Sequence, residues 1–378
     1  MIITAMKLQP ESFINFLTVF NMKVCYFGTY SPNYTRNRVN ITGLRENGVE
    51  VIECNIQTGG LRKHWDLFRK HWPMRGSYDV MIVGFNGHAI MPVAWLVTRF
   101  PRKKLVFDAF ISAYDTNIFD RKKHLPHSLM ALKYWIIDWL ACSLADLVLM
   151  DAEAYAKYVS ETFHISRQKV KGLFVGCPND VMYPRPQNKA HSAKAEPDFI
   201  VHFHGTYIPA QGIPYIIEAA RILDGQGVKF NLIGKLDTYG EAINLVKRLK
   251  LTNVRFYDYM PYNKLAEFMA NADICLGGFG DTEKAKMAGI FKIIEAMAMK
   301  KPFITADTPA MREFLTDRKD SLLCKSADGQ DLADKILELK NNVNLRNTIA
   351  ENGYQLYLRR FTPKAIGRDL MAFVNSIK

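Results

Sequence analysis

Short runs rich in β-branched and aromatic residues alternate with stretches of helical period along nearly the whole chain, and this alternation most restricts the fold. From Met22 the order is KVCYFGTY, a polar turn into the helical NRVNITGLRENG, VEVIECN, YDVMIVGFN, a helix through Trp95, and KLVFDAF. The same order returns with DFIVHFHG, the helix PYIIEAARIL, KFNLIGK, NVRFYD, the helix NKLAEFMANA, DICLGG, a helix around Ile293–Met299 and PFITAD. Strands joined through helices rather than tight turns must run parallel and be covered on both faces. The chain therefore reads as α/β, with two Rossmann-like parallel-sheet domains facing across a cleft.

Between the two series lies CPNDVMYPRPQNKAHSAKAEPD, with four prolines and few apolar residues, the composition of an exposed connection. The expected organisation is a first domain over 22–180, a connection over 181–197 and a second domain over 198–362. A final helix over 363–378 carries Ile366, Leu370, Phe373 and Val374 at helical spacing, and the first domain is the expected cover for that stripe. Residues 1–21 lack a basic opening and a small-residue cleavage site, so they read as an extension or as a start assigned too early, with Met22 as the true beginning.

The six cysteines form no CxxC pair and no Cys/His cluster of metal-ligand spacing, so they are expected to be reduced thiols of a cytoplasmic protein. The most apolar run, Tyr134 to Met150, is broken by Asp138 and Asp146 and is too short to span a bilayer. The net charge of +13 points to an anionic partner. Residues 61–123 hold twelve Lys and Arg against five Asp and Glu, with Trp65, Phe68 and Trp72 set among Arg62, Lys63, Arg69 and Lys70. That pattern suits either a solvated basic face or an anionic membrane surface. Nucleic acid is not expected, because no helix-turn-helix, RNP or zinc-finger signature is present.

In open parallel sheets ligands bind beyond the carboxyl ends of the strands. In HFHGTYIPAQGIPYIIEAA, Gly205, Thr206 and Gln211 stand between such a strand end and a helix whose N-terminus favours anions. In AGIFKIIEAMAMKK, Lys292 falls in the first turn of a helix and Glu295 three residues on, so a diphosphate and a ribose could meet one face. An intrahelical Lys/Glu pair is the plain alternative. In the first domain the loops FGTYSPNYTRN, GFNGH and FDAFISAYDT each follow a strand. They offer Gly28 for close approach, Arg36 for a phosphate, His88 for proton transfer or charge, and Asp108 and Asp115 at a polar bend for a sugar hydroxyl. Capping and turn formation account equally well for the two Asp residues.

Taken together, KIIEAMAMKKPFITADTPAMREFL, HGTYIPAQGIPYIIEAA and DICLGGFGDTEKAK resemble the retaining GT-B glycosyltransferases of family 4, from about Met22 to the C-terminus. The resemblance implies transfer of a hexose from a nucleotide sugar to a lipid-linked or polysaccharide acceptor, with the donor bound by the second domain. It makes Glu295 the ribose ligand. The first Glu of the family's paired motif is replaced by Met287, so sugar contacts fall to backbone N–H groups near Gly289 and Ile290. Two basic positions of the phosphate loop are Thr206 and Gln211, which leaves the positive charge to Lys292 with Lys235, Lys284 or Lys286. His88, Asp108 and Lys292 are the expected catalytic residues. No Asp-x-Asp triplet occurs, so neither metal nor cofactor is expected. A GT-B nucleotide-sugar epimerase and a nucleotide-binding homologue without turnover remain open beside the transferase.

Overall fold

A computed structural model of the chain describes residues 22–187, 198–289 and 291–377. The first domain begins with strand β1 (Lys23–Gly28), helix α1 (Thr35–Glu46), β2 (Glu50–Asn55) and α2 (Arg62–His71). It continues through β3 (Val80–Val83), α3 (Met91–Val97), β4 (Lys104–Phe110), α4 (Leu129–Leu144), β5 (Leu147–Met150), α5 (Glu153–Thr162) and β6 (Val170–Gly172). Its six strands lie in the order β2-β1-β3-β4-β5-β6, all parallel. The central strands VMIV and LVLM are buried along their whole length, as parallel strands covered on both faces must be. The apolar run 134–150 thus divides into the end of α4 and all of β5.

The second domain repeats the plan with β7 (Phe199–His204), α6 (Ile213–Ile222), β8 (Val228–Ile233), α7 (Gly240–Arg248), β9 (Val254–Tyr257), α8 (Tyr262–Asn271) and β10 (Ile274–Leu276). Then come α9 (Glu283–Met287), α10 (Phe291–Ala298), β11 (Phe303–Ala306), α11 (Pro309–Arg312), β12 (Leu322–Cys324), α12 (Gly329–Asn341) and α13 (Val343–Arg360). Its parallel sheet is ordered β12-β11-β10-β7-β8-β9.

The last helix, α14 (Pro363–Ser376), returns to the first domain. Thr362 caps it, its hydroxyl accepting from Ala365 N, and Pro363 supplies a preset φ in the first turn. Ile366, Leu370, Met371 and Val374 join Val24, Val39, Leu44 and Val80 in one core. The crossing with α1 is close: a Cβ on Gly43 would lie 2.1 Å from the Pro363 carbonyl, and one on Gly367 2.2 Å from the Gly43 backbone. Only glycine fits either position. The stretch after β6, expected to be an exposed connection, starts by packing inward: Cys177 and Met182 are fully buried, and Cys177 O accepts from Tyr357 OH at 2.9 Å.

Candidate active site

The loop after β7 and the first turn of α10 meet at one point. Gly205 has φ +149°, and a Cβ there would stand 2.9 Å from Lys292 Nζ, so glycine leaves the lysine its place. Lys292 Nζ donates to Gln211 Oε1 and lies 4.0 Å from the centre of the Phe203 ring. Three residues singled out in the sequence, Gly205, Gln211 and Lys292, therefore converge. Burial pushes Lys292 down to about 7, against the opposing pull of Glu295. At neutral pH this amine is poised between charged and neutral, and an arriving phosphate would draw the proton back.

Glu295, one turn further along α10, is buried. Its carboxylate accepts from His204 Nε2 at 2.7 Å and from Tyr262 OH at 2.5 Å. Behind it, His202 Nε2 and His204 Nδ1 are 3.0 Å apart, and burial holds His202 well below the ordinary histidine range. Each carboxylate oxygen retains a further lone pair for a hydroxyl.

Beside this cluster opens a cavity of about 790 Å³, bounded by His204–Thr206, Ile233–Leu236, Asp258–Met260, Tyr262 and Leu265. This is the size range of nucleotide and cofactor sites. Thr206 and Lys235 both line it. Its walls come from the strand ends of β7, β8 and β9, where doubly wound sheets bind ligands. His204 and Tyr262 both face the cavity and hold Glu295. The histidine was legible in HFHG, whereas Tyr262 reaches Glu295 across 33 residues with no local signal.

The first-domain edge is organised differently. Arg36 belongs to the first turn of α1, not to an open loop, and is buried. Its Nε and Nη2 donate to Asp108 at 2.7–3.1 Å, and Nη1 donates to Leu173 O at 2.6 Å. The expectations that Arg36 grips a phosphate and that Asp108 takes part in catalysis are therefore corrected: each satisfies the other inside the domain, with Asn40 Nδ2 donating to Asp108 at 2.8 Å. Asp115 is also interior, accepting from Tyr155 OH at 2.8 Å, so the bend expected to be polar and open is closed. Burial raises Asp115 above its ordinary range, tempered by Tyr155.

His88 stands 3.3 Å from Asp138, on a short turn after β3. Burial holds it below the usual imidazole value, against the pull of Asp138. Asp138 itself accepts from Ser112 Oγ and from the amides of Ala113 and Tyr114. Gly28 ends β1 with φ +145°.

Beside the Tyr357–Cys177 contact, further polar contacts among the described residues join the domains. Lys284 Nζ donates to Thr116 Oγ1 at 2.8 Å and lies 3.4 Å from Asp120. Gly289 N donates to Asp151 Oδ2 at 3.1 Å. Glu313 accepts from the amides of Glu153 and Ala154 at the N-terminus of α5, at 2.9 and 2.6 Å. Lys284 is thus spent on the junction, and Lys286 pairs with Glu283. Ile290 lies outside the described residues. Asp151, which the sequence did not mark, is buried, and burial raises it to about 7.

Residues 184–356 match the family model for Glycosyl transferases group 1. The match covers the second domain and the stretch just before it. An uncharacterized glycosyltransferase of Methanocaldococcus jannaschii is 30% identical over 156 residues, 40% of this chain and 41% of that protein. The chain thus spans about two fifths of that relative. CapM, a capsular polysaccharide biosynthesis glycosyltransferase of Staphylococcus aureus, is 22% identical over 288 residues, 71% of this chain and 72% of its own. Among solved structures, Anabaena HepE in complex with UDP and glucose superposes with a TM-score of 0.71 at 18% identity, covering 94% of this chain and all of that one. Both sheets and their cleft follow the GT-B plan. The matched stretch contains the cavity, Lys292 and Glu295.

Proposed function

We propose that the chain is a retaining glycosyltransferase that moves a hexose from a nucleotide-diphosphate sugar, UDP-linked in the first instance, to a hydroxyl of a lipid-linked or polysaccharide acceptor on the cytoplasmic side of a membrane. The observation that carries this reading is the convergence of Gly205, Gln211 and Lys292 beside a cavity of about 790 Å³ whose wall residues His204 and Tyr262 hold Glu295. The UDP complex of HepE and the glycan chemistry named for CapM support the choice of substrates.

Glu295 takes the ribose hydroxyls in this scheme, and Lys292 with the loop amides takes the diphosphate. Charge that builds on the leaving oxygen meets a cation already in place, so the lysine stabilises the transition state more than the diphosphate of the ground state. Front-face attack lets the departing phosphate oxygen receive the acceptor proton. No carboxylate hook for a divalent metal is required. Gly289 N is already given to Asp151, so the backbone contact with the transferred sugar at this residue falls to its carbonyl.

A thermal-shift screen of the intact chain against UDP, GDP, ADP and their sugars, without metal, tests the reading. Ligand at about 100 times its dissociation constant adds about 2.7 kcal/mol of stability. The expected result is a rise in Tm with one nucleotide that Glu295→Ala abolishes, followed by transfer of the sugar. No shift with any nucleotide overturns the proposal.

A further inference from the structure

Helix α4 has the sequence LMALKYWIIDWLACSL, apolar on all sides. Such a helix belongs in an interior. Here only one side is covered, by Ala131, Asp138, Ala141 and Cys142. Leu129, Leu132, Ile136, Trp139 and Leu140, spaced by three, four, three and one, form a continuous outer stripe, and Leu129 is 85% exposed. Helix α3 packs beside α4 and α2 beside α3, and both add to the same face: Trp65 and Trp72 at α2, Trp95 on α3, and Phe100 just beyond it, 85% exposed. All of these side chains are exposed in the described structure.

Two further facts specify the occupant. The chain has five tryptophans, and all five lie on or beside these three helices: Trp65, Trp72, Trp95, Trp135 and Trp139. Tryptophan concentrates where an apolar phase meets water. The second fact is charge. Of the five acidic residues within 61–123, Asp108, Asp115 and Asp120 are buried, so within that segment the surface acids are Asp66 and Asp79, and beyond it Asp146 pairs with Arg102, against twelve Lys and Arg. Arg121, Lys122 and Lys123 stand exposed in the turn that leads into α4. Arg75 and Arg99 stack on Trp72 and Trp95, so cations and indoles sit in one layer. A protein partner could use the apolar stripe, but a cationic rim around an indole layer matches an anionic bilayer surface.

We propose that the outer face of α2, α3 and α4 seats the protein on an anionic lipid bilayer, with the indoles at head-group depth and α4 lying in the surface. The sequence pointed to residues 61–123; the structure moves the apolar half of the contact to residues 125–140. The face does not depend on the glycosyl-transfer reading. It reaches the cleft side at a recess of about 180 Å³ bounded by Tyr114, Pro126, His127, Ser128, Leu132 and Trp135, where an acceptor held in lipid would emerge.

The test is flotation of the full chain with vesicles of phosphatidylcholine alone or with 30 mol% phosphatidylglycerol, at low and high salt, together with tryptophan fluorescence. Binding is expected only to the anionic vesicles and to weaken with salt. Since four of the five tryptophans are exposed at this face and Trp135 lies half-buried beneath it, a blue shift and quenching by lipids brominated near the head group report its contact without any substitution. Removing the charges of Arg121, Lys122 and Lys123 together is expected to lower partitioning roughly 100-fold. Ile136→Asp is expected to lower it further at an unchanged Tm and an unchanged nucleotide response. The proposal is overturned by absence of binding to either vesicle or by binding without a change in fluorescence. It is equally overturned by a dimer in solution that shields the indoles, or by vesicle binding only of a chain that starts at Met22, since residues 1–21 would then be the occupant. Failure here leaves nucleotide binding intact, so the two proposals fail separately.

Discussion

The two domains carry the same parallel sheet and put loops at the same end of it, yet they treat polar side chains in opposite ways. In the first domain Arg36, Asp108, Asp115 and Asp138 are turned inward and paired with their own neighbours. In the second, Lys292 and Glu295 are held by Gln211, His204 and Tyr262 beside an open cavity. A polar residue after a strand is therefore evidence of a site only when a void adjoins it. Without the void, the same residue type is structural.

That contrast is broken most sharply at the buried ion pair. Arg36→Leu leaves Asp108 charged in the interior and is expected to cost about 3–5 kcal/mol of stability, read by urea unfolding. If unfolding hardly changes while nucleotide or acceptor affinity collapses, Arg36 is a ligand-binding residue after all.

Asp151 gives the next largest effect. Its carboxyl is raised by burial from 3.8 to about 7, so the folded protein holds a proton that the unfolded chain releases. The stabilisation is fully present below about pH 4 and is lost as pH rises toward 7, amounting to at most about 4 kcal/mol. Asp151→Asn keeps an acceptor for Gly289 N and should flatten that slope in a series of denaturant curves. An unchanged slope would mean that water reaches the carboxyl.

On the other side of the comparison, Lys292→Ala should leave folding nearly intact and remove a charge-assisted contact of about 1.5–3 kcal/mol, equivalent to roughly 10–150-fold in Kd for a nucleoside diphosphate. The amine is pushed down to about 7. Affinity is thus expected to be full below that pH and to fall as pH rises toward the ordinary lysine value of 10.5, a dependence that calorimetry at several pH values would reveal and that Lys292→Ala should lack. The smallest effect concerns ribose: Glu295→Gln should narrow the preference for a ribonucleotide over its 2′-deoxy analogue by about 1 kcal/mol.

The sequence revealed the alternation, and with it both sheets and the return of the last helix, because the stripe at Ile366, Leu370 and Val374 demanded a cover. It was less informative on β5, hidden in the apolar run that begins in α4, and on the three-residue β6 and β12, which are too short to show a period. Lys292 and Glu295 were legible because a helix places neighbours by local spacing. The pairing of Arg36 with Asp108 spans 72 residues, and that of Gly289 with Asp151 spans 138. Sheet order, not local pattern, brings those partners together.

The glycine crossing of α1 and α14 makes the chain a closed circuit. It leaves the first domain after residue 187, builds the second, and comes home on a helix of 14 residues seated between Gly43 and its neighbours. A chain interrupted between residues 187 and 198 would consist of two pieces, and the second piece would carry its own plug for the first. Conversely, a stop codon before Pro363 would spare the domain it adjoins in sequence and strip the core of the one made at the other end of the chain.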